Sequence, residues 1–265
     1  MKESVSSSTG RRSAILQMLK QSSNISVNEL SKKFGVSEVT IRKDLNLLKE
    51  RNLLVRTRGG AILHDARRDD NDTSIRFKKL ANYREKQAIG RAAANLIKDG
   101  DTVIIDSGTT TLQVARNLHK FRNLTIITNA LNVAQEVLSY KRFNVILLGG
   151  NIRNASESVV GALAETNLKM FYCDKLFMGV DSFSVENGLS TPNVEEANIN
   201  QIMISRSNEV IAVFDSSKIN KRALAFITTL DNIDTIVTDE GIDKSTRNQL
   251  KSTKVNVITV KPDPA

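Results

Sequence analysis

The residues best suited to chemistry form a run of small and hydroxyl-bearing side chains, DSGTTT, from Asp106 to Thr111. A glycine among hydroxyls at the start of a helix suits a phosphate group, because free backbone amides, the helix dipole and threonine donors converge there. The same pattern also occurs as a plain helix cap, so it needs support from other residues. The sequence contains no GxxxxGK[ST] loop and no GxGxxG turn, which argues against ATP and dinucleotides as ligands.

Polar groups recur where other predicted strands end. They supply two carboxylates, a lysine, an amide and several hydroxyls, at Thr128–Asn129, Gly149–Gly150, Gly179–Asp181 and Asp215–Lys218. In open α/β sheets, ligands bind at the carboxyl ends of the strands. Together with residues 106–111, these segments would suit a phosphorylated polyol or sugar.

The carboxylates of Asp181 and Asp215 leave two functions open. In a sugar-phosphate isomerase, one of them would be the base at the carbon that loses its proton, and electrophiles would hold the developing enediolate. In a binding protein, both would simply accept hydrogen bonds from sugar hydroxyls. We favour recognition, because it needs only acceptors.

Apolar runs predict the strands that would bring these segments together, at residues 102–105, 124–127, 144–148, 175–178, 210–213, 235–237 and 255–260. Helices are predicted at 82–97, 110–118 and 130–138. Continuous Val, Ile and Leu runs that alternate with helices indicate a mostly parallel sheet covered on both faces.

A second candidate site lies at residues 26–60, where two short helical patterns meet at Gly35. The first has Val27, Leu30 and Phe34 on its inner face, and the second begins at Ser37 with Ile41, Leu45 and Leu48 on one face. This arrangement predicts a helix-turn-helix, whose second helix lies in the DNA major groove. Residues 53–60, LLVRTRGG, form a short strand pattern with a basic, glycine-rich tip, as in the wing of a winged helix.

Helical periodicity predicts which side chains of the second helix face DNA. Val39, Lys43 and Asn46 lie opposite the buried face, with Thr40 and Arg42 on the flanks. Arginine and lysine reach guanine edges or phosphates, and apolar groups contact the thymine methyl. Ser37 can cap the helix and face a phosphate. The predicted DNA-binding residues are Ser37, Val39, Thr40, Arg42, Lys43, Asn46, Arg56 and Arg58.

Charge is concentrated in the N-terminal part of this 265-residue chain, whose formal net charge is +9. Residues 1–62 contain 12 basic and 5 acidic side chains, whereas the remainder contains 26 and 24. Such asymmetry is typical of a phosphate-binding module joined to a near-neutral domain. A purely structural nucleoid protein would not need the polar strand ends of the second part.

Several classes of protein and site are not expected. No apolar run approaches the length of a membrane span, and the first ten residues lack the apolar segment of a signal peptide, so we expect a cytoplasmic protein. We expect Cys173 to be a buried small hydrophobe. His64 and His119 belong to no metal-ligand cluster, and neither a metal nor a cofactor is expected. The polar segment 64–74 is predicted to be a flexible linker.

The motifs together resemble the DeoR family of bacterial sugar-responsive transcriptional regulators. The resemblance extends from about residue 10 to 260 and includes the N-terminal pattern, IIDSGTTT at 104–111, LGG at 148–150, MGVD at 178–181 and FDSSK at 214–218. GLST at 188–191 and NVEEA at 193–197 are similar to regulators of amino-sugar (N-acetylgalactosamine-type) uptake.

This resemblance implies a winged helix-turn-helix at 8–63, a linker at 64–74 and, at 75–260, a mostly parallel α/β sensor domain resembling ribose-5-phosphate isomerase. It also implies a sugar-phosphate effector that relieves repression, and a dimer or tetramer on double-stranded operator DNA. Asp106, Gly108, Thr109 and Thr110 would form the phosphate loop. Asp181, Asp215 and Lys218 would line the sugar side, with Lys86 nearby. The complete set of expected effector residues is Lys86, Asp106, Ser107, Gly108, Thr109, Thr110, Asn129, Asp181, Asp215 and Lys218.

Overall fold

The chain forms two compact units, Met1–Asp70 and Asn71–Ala265. The computed structural model describes residues 8–22, 24–50, 54–57, 59–63 and 75–262. The predicted linker at 64–74, including His64, and the predicted DNA contact Arg58 lie outside the described residues. Each unit is described by itself.

The described part of the N-terminal unit contains three helices and a three-stranded antiparallel sheet of order β1-β3-β2. Its elements are α1 (Ser8–Ser22), β1 (Asn24–Ser26), α2 (Val27–Phe34), α3 (Glu38–Glu50), β2 (Leu54–Thr57) and β3 (Gly60–Leu63). Strands β2 and β3 follow the second helix of the predicted helix-turn-helix. They form the wing that the sequence predicts.

Caps define the turn between α2 and α3. Ser26 and Glu29 form a reciprocal capping box at the start of α2, since each side chain accepts the other residue's backbone amide. At the other end, Gly35 adopts the left-handed conformation, with φ 63°, where glycine carries no steric penalty. The Ser37 hydroxyl then accepts the Thr40 amide at 3.2 Å and caps α3.

The core of this unit joins all three helices to the sheet. The predicted apolar face of α3 is confirmed, because Ile41, Leu45 and Leu48 are buried together with Val27 and Leu30. Phe34 is only partly buried against this cluster. A buried ion pair also ties α1 to α3, with Arg11 Nε 2.6 Å from Asp44 Oδ2.

The C-terminal unit is built on a seven-stranded sheet of order β15-β14-β12-β9-β4-β5-β6, all parallel. These strands are β4 (Thr102–Ile105), β5 (Thr125–Thr128), β6 (Asn144–Leu147), β9 (Cys173–Gly179), β12 (Ser207–Val213), β14 (Thr235–Asp239) and β15 (Asn256–Val260). All seven predicted strands are therefore confirmed, with small shifts at their ends.

The other elements of this unit cover the sheet or border its carboxyl edge. The helices are α4 (Ile75–Leu80), α5 (Tyr83–Ala94), α6 (Thr109–Arg116), α7 (Leu131–Leu138), α8 (Ala162–Leu168), α9 (Val194–Ser205) and α10 (Lys244–Leu250). A hairpin pairs β7 (Asn151–Arg153) with β8 (Ser158–Val160). A small antiparallel sheet has the order β10 (Ser182–Ser184), β11 (Gly188–Thr191), β13 (Ala225–Thr228).

Alternate residues of the central strands enter two different cores, one on each face of the sheet. In β9, Leu176 and Met178 join one apolar cluster, whereas Phe177 joins the other. This alternation follows from the two-residue period of a strand. Because both faces are covered, these strands carry continuous apolar runs, such as residues 103–105, 176–178 and 210–213.

The three predicted helices differ from those observed only at their ends, and the helix predicted at 130–138 is α7, Leu131–Leu138. The helix predicted at 82–97 is α5, which begins at Tyr83 and ends at Ala94. It does not begin at Asn82, because Asn82 has φ 50°, outside the right-handed helical region. The helix predicted at 110–118 is α6, which begins one residue earlier, at Thr109, and ends at Arg116; a 3₁₀ turn follows at Leu118–Lys120. Thr109 therefore belongs to the first turn of α6.

Candidate functional sites

The exposed face of α3 is the first candidate site. Val39, Lys43 and Asn46 are exposed as periodicity predicts, and Val39 is an apolar side chain with 61% of its surface in solvent. Arg42 is also exposed, and it donates to Glu38 Oε2 at 2.8 Å. An exposed ion pair of this kind contributes little to stability, so Arg42 can exchange Glu38 for a guanine or a phosphate.

Arg56 of β2 turns back onto α3. Its Nη1 donates to the Arg42 carbonyl and to Asn46 Oδ1, both at 3.0 Å. Because a guanidinium only donates, this contact assigns the Asn46 oxygen to Arg56 and leaves the amide nitrogen to donate elsewhere. In the structure Arg56 therefore contacts α3 through Asn46 and the Arg42 carbonyl, and its direct contact with DNA stays a prediction.

The second candidate site is a cavity at the carboxyl ends of β4 and β9, which encloses about 670 Å³ of space, part of it open to solvent. Eight of the predicted effector residues line it: Lys86, Asp106, Ser107, Gly108, Thr109, Thr110, Asp181 and Lys218.

The loop from Asp106 to Thr110 lies close against the end of β9. A Cβ atom on Gly179 would be 2.8 Å from the Ser107 carbonyl oxygen, so only glycine permits this approach. Among the described residues, no side chain caps the start of α6. Gly108, Thr109 and Thr110 at this helix start line the cavity, and an uncapped helix start suits an anion.

Asp106 is a buried carboxyl group at the base of this loop, only 3% exposed. Its Oδ2 accepts from the Gly179 amide at 3.2 Å and from Asn200 Nδ2 at 3.0 Å. Its Oδ1 has no hydrogen-bond partner among the described residues. Burial raises the pKa of Asp106 to about 7, and these hydrogen bonds offset only part of the effect. A large fraction of Asp106 is therefore neutral near pH 7.

Two lysines share the carboxylate of Asp181. Lys78 from α4 donates to Oδ1, and Lys218 Nζ lies 4.0 Å from the same oxygen. Burial opposes the ionisation of Asp181, but the two ammonium groups outweigh it and lower its pKa. Burial likewise lowers the pKa of Lys218, although Asp181 acts in the opposite direction.

Arg153, Glu196 and Thr191 complete the polar wall of the cavity. Arg153 Nη1 lies 3.2 Å from Glu196 Oε1 and the same distance from the Ser156 hydroxyl. The Thr191 hydroxyl is 3.2 Å from Glu196 Oε2 and 3.3 Å from Asp181 Oδ2. It can donate to one carboxylate at a time and links the two acidic groups.

Lys86 is buried beneath the cavity, where its Nζ donates to the carbonyls of Lys78 and Ala81, both at 2.6 Å. Asp215 Oδ2 lies 3.8 Å away. Burial lowers the pKa of Lys86 to about 8, although Asp215 acts in the opposite direction. This lysine is held mainly by backbone oxygens.

Two predicted effector residues do not line the cavity. Asp215 is buried and accepts from Asn82 Nδ2 at 2.7 Å and from the Ser217 amide, so it supports Lys86 and the turn that carries Lys218. Asn129 is fully buried, with a 3.4 Å contact from Nδ2 to the Val159 carbonyl. Direct contact of either residue with a ligand is not supported by this geometry.

The prediction omits several cavity residues that the structure supplies: Lys78, Arg153, Ser156, Thr191, Glu196 and Asn200. Thr191 and Glu196 lie in the GLST and NVEEA motifs, whose resemblance to amino-sugar regulators does not by itself give these two residues a role. Lys78 and Arg153 lie in short elements, α4 and β7, where no periodicity marks them.

Other expectations concern isolated side chains. Cys173 is buried, as predicted, and burial raises the pKa of its thiol to about 12, which disfavours the reactive thiolate. His119 is exposed. Within the described ranges, no cluster of His, Cys, Asp and Glu has the geometry of a metal site. No helix in the described part of the chain is long and apolar enough to cross a membrane.

Comparison with known families covers both units. The DeoR-like helix-turn-helix domain matches residues 11–67, and the DeoR C-terminal sensor domain matches residues 81–240. These two matches correspond to the unit with α3 and to the unit with the cavity.

Several transcriptional regulators align with this chain over most of their length. The chain is 38% identical over 256 residues to a protein of Escherichia coli O157:H7 named as a candidate aga operon transcriptional repressor, with 97% of this chain and 95% of that protein aligned. It is 33% identical to the repressor GlcR of Bacillus subtilis, with 94% and 95% aligned. The glycerol-3-phosphate regulon repressor of Escherichia coli K12 is also 33% identical, with 87% and 90% aligned.

Among solved structures, ribose 5-phosphate isomerase A from Methanocaldococcus jannaschii is a distant neighbour. It has a TM-score of 0.40 and 17% identity, with 54% of this chain and 56% of that chain covered.

Proposed function

Because the chain belongs to the DeoR family of transcriptional regulators, we propose that it represses a sugar-utilisation operon and that a phosphorylated sugar relieves the repression. The N-terminal unit would read the operator through α3, with Arg42, Lys43 and Asn46 as principal contacts. The C-terminal unit would bind the effector in its cavity. The chain is a transcriptional regulator like its relatives, and the isomerase alternative is set aside.

The observation that carries this proposal is the composition of the cavity. Four basic side chains line it, Lys78, Lys86, Arg153 and Lys218. They face three acidic ones, Asp106, Asp181 and Glu196, of which Asp106 is partly neutral near pH 7. The excess of positive charge beside the start of α6 suits a phosphate dianion. The remaining carboxylates and hydroxyls suit the hydroxyl groups of a sugar.

The geometry also supports recognition over catalysis. An isomerase needs a carboxylate that is available to take a proton from carbon. Asp181 is paired with Lys78 and lies near Lys218. Asp215 contacts Asn82 and Lys86 and does not itself line the cavity. Neither carboxylate is placed as a free base.

The class of sugar is an amino-sugar phosphate of the galactosamine type. This rests on the GLST and NVEEA motifs and on the 38% identity to the candidate aga operon repressor. Glu196, in the second motif, faces the cavity and can accept a hydrogen bond from a sugar amine or amide.

The regulatory mechanism would be a shift between two states of a symmetric homo-oligomer, a dimer or a tetramer, in the cytoplasm. In one state two recognition helices match the spacing of a repeated operator. The effector binds the other state more tightly and lowers the affinity for DNA, by a coupling of about 1–3 kcal/mol.

A DNA gel shift tests this proposal with the region upstream of the neighbouring genes as probe. The titrants are galactosamine 6-phosphate, N-acetylgalactosamine 6-phosphate, fructose 6-phosphate and glycerol 3-phosphate. Release of DNA by an amino-sugar phosphate, with little effect of the unphosphorylated sugar, supports the proposal. Binding that none of the four phosphates alters would contradict it.

A further inference from the structure

Helix α4 is the first described element of the C-terminal unit, and the chain reaches it directly from residues 64–74, which join it to the DNA-binding unit. Ile75 and Lys78 of α4 line the cavity. The Ile75 amide donates to the carbonyl of Ala155 at 2.7 Å, and Ala155 lines the cavity as well. The helix is therefore part of the cavity wall.

Lys78 is the charged contact between α4 and the cavity. Its ammonium group pairs with Asp181, and its side chain is 23% exposed. The same oxygen of Asp181 lies 4.0 Å from Lys218, so one carboxylate oxygen serves two ammonium groups. A phosphate offers more oxygens and more negative charge than this carboxylate, and it would compete for both lysines.

Lys86 fastens the other end of the helix. Its ammonium group donates to the carbonyls of Lys78 and Ala81, and its side chain is only 4% exposed. The backbone carbonyl of Lys78 therefore accepts a hydrogen bond from Lys86, while the Lys78 ammonium group pairs with Asp181. A change of partner at the Lys78 side chain therefore acts on a segment whose carbonyls at Lys78 and Ala81 are bound by Lys86.

We propose that Lys78 is a ligand-binding residue that leaves Asp181 for the phosphate of the effector, and that α4 thereby transmits occupancy of the cavity to the segment that leads to the DNA-binding unit. This inference rests on the proposed function. A dianion between Lys78 and Lys218 also repels Asp181, so the ion pair that holds α4 in the empty cavity is weakened when the ligand arrives. The position of α4 then depends on whether the cavity is occupied.

The chain offers a matched control on the same helix. Lys79 is the next residue, it pairs with Glu157 at 3.2 Å, and it does not line the cavity. Lys78→Met and Lys79→Met each remove one ammonium group and keep the aliphatic part of the side chain. Only the first removes a group that faces the ligand.

The experiment is hydrogen–deuterium exchange of the full-length chain, read by mass spectrometry in peptides that cover residues 75–86, with galactosamine 6-phosphate and inorganic phosphate as probes. Without probe, Lys78→Met should exchange faster in α4 than Lys79→Met. With probe, the wild type and Lys79→Met should change their exchange in α4, and Lys78→Met should not. The affinity of Lys78→Met for the sugar phosphate should fall about 10- to 100-fold.

The outcomes separate the inference from the proposed function. If Lys78→Met binds the probe like the wild type and shows the same change in α4, the inference is wrong and the proposed function stands. If the wild type binds neither probe, the amino-sugar phosphate effector and the inference that rests on it are both contradicted. If the wild type binds a probe but its exchange in α4 does not change, the inference alone is overturned.

Discussion

Substitution of the buried carboxyl group Asp106 by asparagine should make the C-terminal unit more stable at high pH. The pKa of Asp106 is raised from 3.8 to about 7, so the folded state binds a proton that the unfolded chain has already lost. Stability is therefore lost as the pH rises from about 4 to 7 and is constant on either side of this window. Ionisation of Asp106 costs about 4 kcal/mol in total.

Most of this cost falls within an accessible pH range. Between pH 5 and pH 8, the wild type should lose about 2.5 kcal/mol through Asp106, and Asp106→Asn should lose none of it. The variant retains an oxygen that can accept from Gly179 and Asn200. For a unit of this size, the difference in Tm between variant and wild type should grow by about 5–10 °C from pH 5 to pH 8.

Scanning calorimetry of both proteins at pH 5, 6, 7 and 8 measures this difference. Asp181→Asn is the control, because the pKa of Asp181 is lowered and the group is ionised in both states throughout this range. Its difference from the wild type should not change with pH. A difference for Asp106→Asn that is also constant from pH 5 to pH 8 would refute the assignment of a raised pKa to Asp106.

Two further predictions concern the DNA-binding unit. Arg42→Ala should weaken operator binding by about 1–3 kcal/mol and relax the preference at one base pair. Arg58→Ala should weaken binding to all DNA sequences alike and reduce the slope of log affinity against log salt concentration by about one. Anisotropy titrations at several salt concentrations distinguish the two effects, and operator binding by both variants that equals the wild type would refute the assignment. Asp44→Ala should cost this unit about 3 kcal/mol, because Arg11 loses its buried partner; a melting temperature unchanged by this substitution would contradict that account.

The central sheet was predictable because its strands are buried on both faces. The apolar run at residues 103–105 could be recognised without knowledge of its partner strands, since a strand that is covered on both faces carries a continuous apolar run. The start of α6 was also predictable, because glycine and hydroxyl residues directly follow a strand. The strands and the start of α6 depend mainly on residues that are neighbours in sequence, so a short sequence pattern is enough to predict them.

Helix α9 escaped prediction for a physical reason. Its buried face includes Glu196 and Asn200, which are polar because they face the cavity. A helix whose inner face carries a binding site loses the apolar stripe that would mark it. The polar residues of the binding site therefore remove the apolar periodicity that would predict the helix.

The direction of individual side chains was not predictable. Asp215 follows a strand and looks equivalent to Asp106, yet its carboxylate points to Asn82 and Lys86. Lys78 precedes the central sheet in sequence and reaches Asp181 only because α4 lies across the cavity. Such contacts are set by the packing of elements far apart in the chain.

The central claim is that a ligand in the cavity controls the affinity for DNA, and Lys218 tests it most directly. The measurement is operator affinity by fluorescence anisotropy, with and without saturating galactosamine 6-phosphate, for the wild type and Lys218→Ala. The account predicts that the ligand weakens wild-type binding about 5- to 150-fold. Lys218→Ala should bind the operator equally well with and without the ligand. Equal weakening of both proteins by the ligand, or no weakening of the wild type by a ligand that it demonstrably binds, would contradict the account.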